Sequence, residues 1–445
     1  MSNYSSTDTD GKFPNLEAQV LSRVTRRIVP YIVLLYFIAF LDRVNIGFAA
    51  LQMNEAIGLT PIQFGLGASL FFYGYFAFEV PSNIILHKVG ARFWIGRVMI
   101  TWGLVSGAMA FINGPRSFYV LRVLLGIAEA GFFPGIILYL SYWFPAHRRA
   151  AVTAMFMAAA PVAGIVGGPL SAALLQLNGV LGLAGWQWLF LLEALPAVVL
   201  GVVTMFYLTD RPEDARWLSA EERTWLAKTM NEEQTRSIGS SGHSPLRALG
   251  NPRVFALALA YFGTSAGLYT VGIWSPQIIK EFGFSIIQVG FLSALPSLVA
   301  AGGMVAWSRH SDRSSERYWH AALACLTAAL GMWLAANAAG SIVIALVGLT
   351  LTAFGVSAAK PPLWSIPTTF LTGTGAAAGI GLINSLGTLG GAAGPYMIGS
   401  AKASSGSFSH GLYFVGGSLV VSAIVILVLR AITPSAARDP REATA

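Results

Sequence analysis

Seven ionisable residues fall where the sequence is otherwise apolar: Asp42, Arg43, Glu79, Arg122, Glu129, Glu193 and Lys360. A charge at the centre of a membrane span costs about 2.5 to 3.5 kcal/mol on insertion scales, so such residues face a cavity, pair with one another, and act. Arg122 and Glu129 are seven apart, which sets them on one helix face, separated by about 10 Å along the axis. Counted at about 1.5 Å per residue, Asp42 lies about 9 Å and Arg122 about 6 Å below the outer surface, close enough to pair. Glu129 falls near the midplane, within reach of Arg43. Arginine is a permanent carboxylate receptor with fork geometry, and membrane carboxylates can relay protons from one side to the other. Two acids interleaved with two cations therefore suit proton-coupled movement of an anion. The other reading is a pair of fixed salt bridges locking spans one and four.

Lys360 precedes Pro361 and Pro362, and with Pro367 these interrupt a stretch too long for one straight span. A second anion receptor and a lysine snorkelling to the interface both remain open there. Glu79, before Pro81 near the inner face, and Glu193, in the outer part of span six, read as structural. All six histidines lie in loops or near span ends. No metal-ligand cluster and no nucleophile with a nearby base stands out, which argues against an enzyme.

These positions need a membrane around them, and the composition supplies it. Of 445 residues, 55% are hydrophobic and 11% charged, whereas a soluble domain carries about 25% charged residues. Apolar stretches of about twenty residues, enough to cross a bilayer, fall near 28 to 48, 62 to 86, 94 to 112, 118 to 142, 150 to 176 and 187 to 208. Six more follow near 253 to 279, 285 to 308, 319 to 338, 341 to 371, 376 to 400 and 410 to 430. The expected organisation is two six-helix bundles, 1–208 and 253–445, around a polar linker at 209–252. Residues 1 to 20 lack an apolar core, so the first span itself is expected to direct insertion. The single cysteine, Cys325, excludes an intramolecular disulfide.

The net charge of +8 has a location rather than a nucleic-acid partner. With the N-terminus cytoplasmic, Arg43, Arg122 and Lys360 lie in spans and Arg116, Lys280 and Lys402 outside, leaving 22 of the 28 Lys and Arg in the cytoplasm. That bias sets both termini and the linker inside. The halves also echo each other: Gly164, Gly167, Gly168 and Pro169 in span five match Gly387, Gly390, Gly391, Gly394 and Pro395 in span eleven. Repeated bundles are a feature of transporters.

Six stretches carry a family resemblance: Leu41 to Ala49, Phe78 to Arg92, Leu121 to Pro134, Gly185 to Pro196, Leu363 to Leu371 and Leu382 to Pro395. In them the chain resembles the major facilitator superfamily, and within it the anion:cation symporters of the bacterial tartrate, phthalate and 4-hydroxyphenylacetate permease type. The resemblance implies proton coupling at Asp42 and Glu129. It implies substrate contacts at Arg43, Tyr75, Asn384, Trp364 and Ser365, and it matches Arg122 with Glu129 as paired charges of the fourth helix; Arg122 and Lys360 are further substrate-binding candidates on their charge alone. Ala158, Ala159, Ala160 and Pro161 stand where sugar-acid carriers have a glutamine, which weakens a sugar-acid assignment. His87 replaces the acidic residue of the turn after span two, while Asp312 keeps its second-half counterpart.

The expected protein is an all-α membrane protein of twelve transmembrane helices in the bacterial inner membrane. It would import a small organic carboxylate, an aromatic or hydroxy/dicarboxylic acid, with protons by alternating access, as a monomer and without cofactors or metal. A drug exporter of the same superfamily and a carboxylate sensor signalling through the linker are the alternatives.

Overall fold

The structure is a computed structural model that describes residues 13–239, 249–371 and 373–433. Residues 240–248 of the expected linker, and the chain ends read as cytoplasmic, lie outside the described residues. Every regular element among the described residues is helical, as a chain in hydrocarbon requires if its backbone groups are to be satisfied internally.

The first half holds α1 (Phe13–Ala56), α2 (Pro61–Val89), α3 (Ala91–Ala108), α4 (Pro115–Glu129), α5 (Phe132–Trp143), α6 (Ala146–Met157), α7 (Ala159–Leu174) and α8 (Gly185–Tyr207). After the linker helix α9 (Ala220–Gly239), the second half holds α10 (Pro252–Lys280), α11 (Ile286–Ser314), α12 (Tyr318–Ala336), α13 (Ile342–Ser365), α14 (Gly373–Thr388), α15 (Gly390–Ser405) and α16 (Ser409–Ile432). Among the described residues, ten segments are long and apolar enough to span a bilayer. With α2, 29 residues long, and the α14–α15 pair, the crossings number twelve.

Three spans expected to be continuous are broken. Between α4 and α5, Gly131 adopts a left-handed φ of 84°, and Pro134 offers no N–H to the Ala130 carbonyl. Pro161 stands in the same relation to Met157 where α6 gives way to α7. The third break falls at Leu389, beside Gly390 and Gly391.

Helices α2 with α15, α7 with α11, and α1 with α10 join the halves. They meet most closely at the end that holds Ala56, Pro61 and Lys280. A Cβ on Gly168 of α7 would lie 2.5 Å from the Gly290 carbonyl oxygen of α11, and one on Gly65 of α2 would lie 2.7 Å from that of Pro395. The glycines that recur in spans five and eleven thus permit backbone contact between the halves. The linker is not free: Glu222 of α9 pairs with Arg23 at 2.9 Å, Glu233 with Arg149 at 2.9 Å, and Trp217 stacks on Trp143. All three partners belong to the first half.

Candidate functional site

Arg43 is the hub of the charged cluster. Its Nε donates to Glu129 Oε1 at 2.6 Å, and a second guanidinium nitrogen meets the same oxygen. Its Nη1 donates to the Tyr269 hydroxyl of α10 at 3.1 Å, so one side chain ties α1 to α4 and to the other half. The guanidinium also lies 5.3 Å from the Tyr75 ring centroid and 5.8 Å from that of Phe71. Glu129 is the last residue of α4, immediately before the break at Gly131. Its Oε2 is buried without a hydrogen-bond partner, as is Oδ2 of Asp42. In an interior where buried polar atoms are normally satisfied, such oxygens mark places where a proton, a water or a ligand can attach.

Asp42 and Arg122 face the same crevice but do not pair as the depth argument expects. Asp42 accepts from Ser106 of α3 and, at 3.4 Å, from Asn45. Arg122 donates to the Gly67 and Ala68 carbonyls of α2 at 3.2 and 3.4 Å and lies over the Phe71 ring at 4.9 Å. The reason is local packing. Helices α2 and α4 approach through Gly74 and Gly126, which brings α2 backbone oxygens to Arg122 before Asp42 can reach it. Asp42, Arg43, Arg122 and Glu129 line one narrow crevice with Phe72 and Tyr269.

The other expected site residues do not line this crevice. Tyr75 is buried beside Arg43. Lys360, half-buried on α13, stands close enough to Arg43 for the two cations to repel each other. Trp364 packs edge-on against Tyr261 with ring centroids 5.0 Å apart, and the Ser365 hydroxyl donates to the Pro362 carbonyl at 2.7 Å. Asn384 does not reach the crevice: its Nδ2 donates to Glu79 Oε1 at 2.6 Å, while the Ser385 hydroxyl donates to Glu79 Oε2 at 2.9 Å.

Glu79, read from the sequence as structural, therefore bridges the two halves. The available signal was its spacing: it lies four residues after Tyr75, one turn along the same face of α2. Glu193 accepts from Ser171 at 3.0 Å, joining α7 to α8 within one half, and its Oε2, like that of Glu129, is buried without a hydrogen-bond partner. The acidic residue missing at position 87 has a substitute in Asp210, which accepts from the Arg92 backbone N–H at 2.8 Å and pairs with its side chain at 3.7 Å. Gly90, at a φ of 92°, leaves room for that carboxylate. Among the described residues, no group of three or more His, Cys, Asp or Glu could hold a metal ion.

A buried, charged crevice between two helical bundles is the arrangement of a carrier whose site is reached from either side in turn. The chain matches the Major Facilitator Superfamily over residues 32–395 and belongs to that family of transporters. It is 64% identical to a protein of Agrobacterium vitis named "Putative tartrate transporter", over 94% of this chain and 96% of that one. It is 41% identical to a "Quinolone resistance transporter" of Acinetobacter baumannii, over 94% of this chain and 96% of that one. The crystal structure of a D-xylose-proton symporter shares the fold, with a TM-score of 0.72 at 16% identity, covering 90% of this chain and 96% of that chain.

Proposed function

We propose that the protein imports a small hydroxylated dicarboxylate of the tartrate type together with protons across the bacterial inner membrane, with both termini in the cytoplasm. The observation that carries this reading is the Arg43–Glu129 contact: a carboxylate receptor held by an internal carboxylate, at the junction of α1, α4 and α10. Protonation of Glu129 releases Arg43 to a substrate carboxylate, and Asp42 supplies a second proton-binding group. Lys360 and Asn384 take the second carboxylate from the opposite half, while Tyr75, Arg122, Trp364 and Ser365 complete the substrate surroundings. Residues 1–208, with α9 docked beneath them, rock against 253–445. The A. vitis relative supports the hydroxy-dicarboxylate class.

The test is uptake of labelled tartrate by proteoliposomes. An inward proton gradient should concentrate it, and a protonophore should abolish the accumulation. Tartrate that neither accumulates nor exchanges overturns the reading. The A. baumannii relative favours a second reading, proton-driven export of a drug. Quinolone counterflow without carboxylate counterflow would replace the first reading with that one.

A further inference from the structure

Helix α2 makes a line of contacts with the second half along one face. It runs from Gly65 against Pro395, through the Ser69 hydroxyl donating to the Ala392 carbonyl and Phe72 against Gly391, to Glu79 with Asn384 and Ser385. The first of these contacts are backbone-close and pass through glycines. Glu79 differs in kind: it is a carboxylate, 4% exposed, that receives one hydrogen bond on each oxygen from the opposite half. It lies about 15 Å beyond Ser69 along the helix, toward the Val89 end, on the far side of Tyr75 from the crevice. The ionisable groups facing it are Arg43 of α1, Tyr75 of α2 and Tyr261 of α10, and none forms an ion pair with it in the described residues.

We propose that Glu79 is a built-in competitor of the substrate: a tethered carboxylate that occupies the Asn384 and Ser385 donors in the empty protein and latches the halves together until a substrate carboxylate takes its place. This rests on the reading that Asn384 serves the substrate. Two donors aimed at the two oxygens of one carboxylate form the receptor that an external carboxylate would need. Since Glu79 is attached to α2 and the donors to α14, displacing it removes a contact that bridges the halves beyond the crevice. Substrate arrival and freedom of the halves to part thus become one event. A ligand whose site is occupied by an internal group binds with its affinity reduced by the fraction of protein in the occupied state, so removing the competitor strengthens binding.

The experiment measures tartrate affinity by calorimetry and backbone hydrogen exchange without ligand, in wild type, Glu79→Ala and Glu79→Asp. Both variants are expected to bind tartrate about tenfold more tightly and to exchange faster over 76–86 and 380–388. Aspartate keeps the negative charge but withdraws the carboxylate by one methylene, out of reach of its donors. If alanine tightens binding and aspartate does not, simple charge repulsion is the cause and the proposal falls. Weaker binding in both variants also overturns it, because Glu79 would then be a substrate contact. Exchange unchanged from wild type removes the latch. Should wild type bind no carboxylate while both variants exchange faster, the transport reading and the competition fail together but the latch stands.

Discussion

At the scale of single residues, Arg43 carries the greatest consequence, because it is bound on both sides before any substrate arrives. Arg43→Ala removes the receptor proposed for a substrate carboxylate, and truncating one partner of a buried, hydrogen-bonded charge pair costs about 2 to 5 kcal/mol. Tartrate affinity should therefore fall by at least about 30-fold, measured by calorimetry, while Arg43→Lys, which keeps the charge but loses the fork, should recover part of it. Glu129→Gln separates coupling from translocation. A pH gradient of one unit is worth about 1.4 kcal/mol per proton, about tenfold accumulation. The variant should exchange labelled tartrate across vesicles yet lose that accumulation, and intact accumulation would remove Glu129 as a coupling group. Lys360 interacts with Arg43 from the other half, so Lys360→Met should weaken dicarboxylates about tenfold more than monocarboxylates of the same size. Equal losses would return it to a snorkelling role.

At the scale of elements, span number and approximate limits were legible because hydrophobic length alone sets them. The breaks were less so, although their causes were printed in the sequence. Pro134 and Pro161 each remove a hydrogen bond four residues back, but apolar runs continue through both, and hydropathy does not register a missing N–H. The Arg43–Glu129 contact was legible from depth counting along two helices. The Asp42–Arg122 pair failed because depth says nothing of what stands between: the α2 carbonyls of Gly67 and Ala68 reach Arg122 first. The reach of Glu79 across to the other half was not legible for a related reason, since its partners lie 305 and 306 residues away and no local pattern announces them. The glycine stripes gain a sharper role from their placement. Gly168→Val would press a side chain into the Gly290 backbone, and overpacking of this kind costs about 1 to 3 kcal/mol. That cost falls on the conformer closed at the Ala56 end and vanishes where α7 and α11 have parted. The expected result is a shift of about 5- to 150-fold toward the parted state rather than unfolding, read as a longer distance between spin labels at Gln176 and Ile287 with an unchanged helical signal.

At the scale of the whole molecule, the same two helices offer a test of how the halves move. Helices α7 and α11 touch across the halves near Gly168 and Gly290, while α6 and the far end of α11 reach the opposite face with Arg148 and Arg313. Were the halves rigid bodies rocking about the crevice, separation at one end would require approach at the other, because the helices themselves do not shorten. Spin-label pairs at Gln176 with Ile287 and at Arg148 with Arg313, placed in a Cys325→Ser background, should report opposite changes when tartrate is added at low pH. The break between α6 and α7 makes this a discriminating measurement. If motion is confined to a hinge at Ala158, the Arg148–Arg313 distance changes while the Gln176–Ile287 distance stays fixed, and rigid-body rocking of residues 1–208 against 253–445 is ruled out. Opposite shifts of similar size would instead place the pivot at the level of Arg43 and Tyr269, whose hydrogen bond is the contact that both motions of the halves would have to preserve or break.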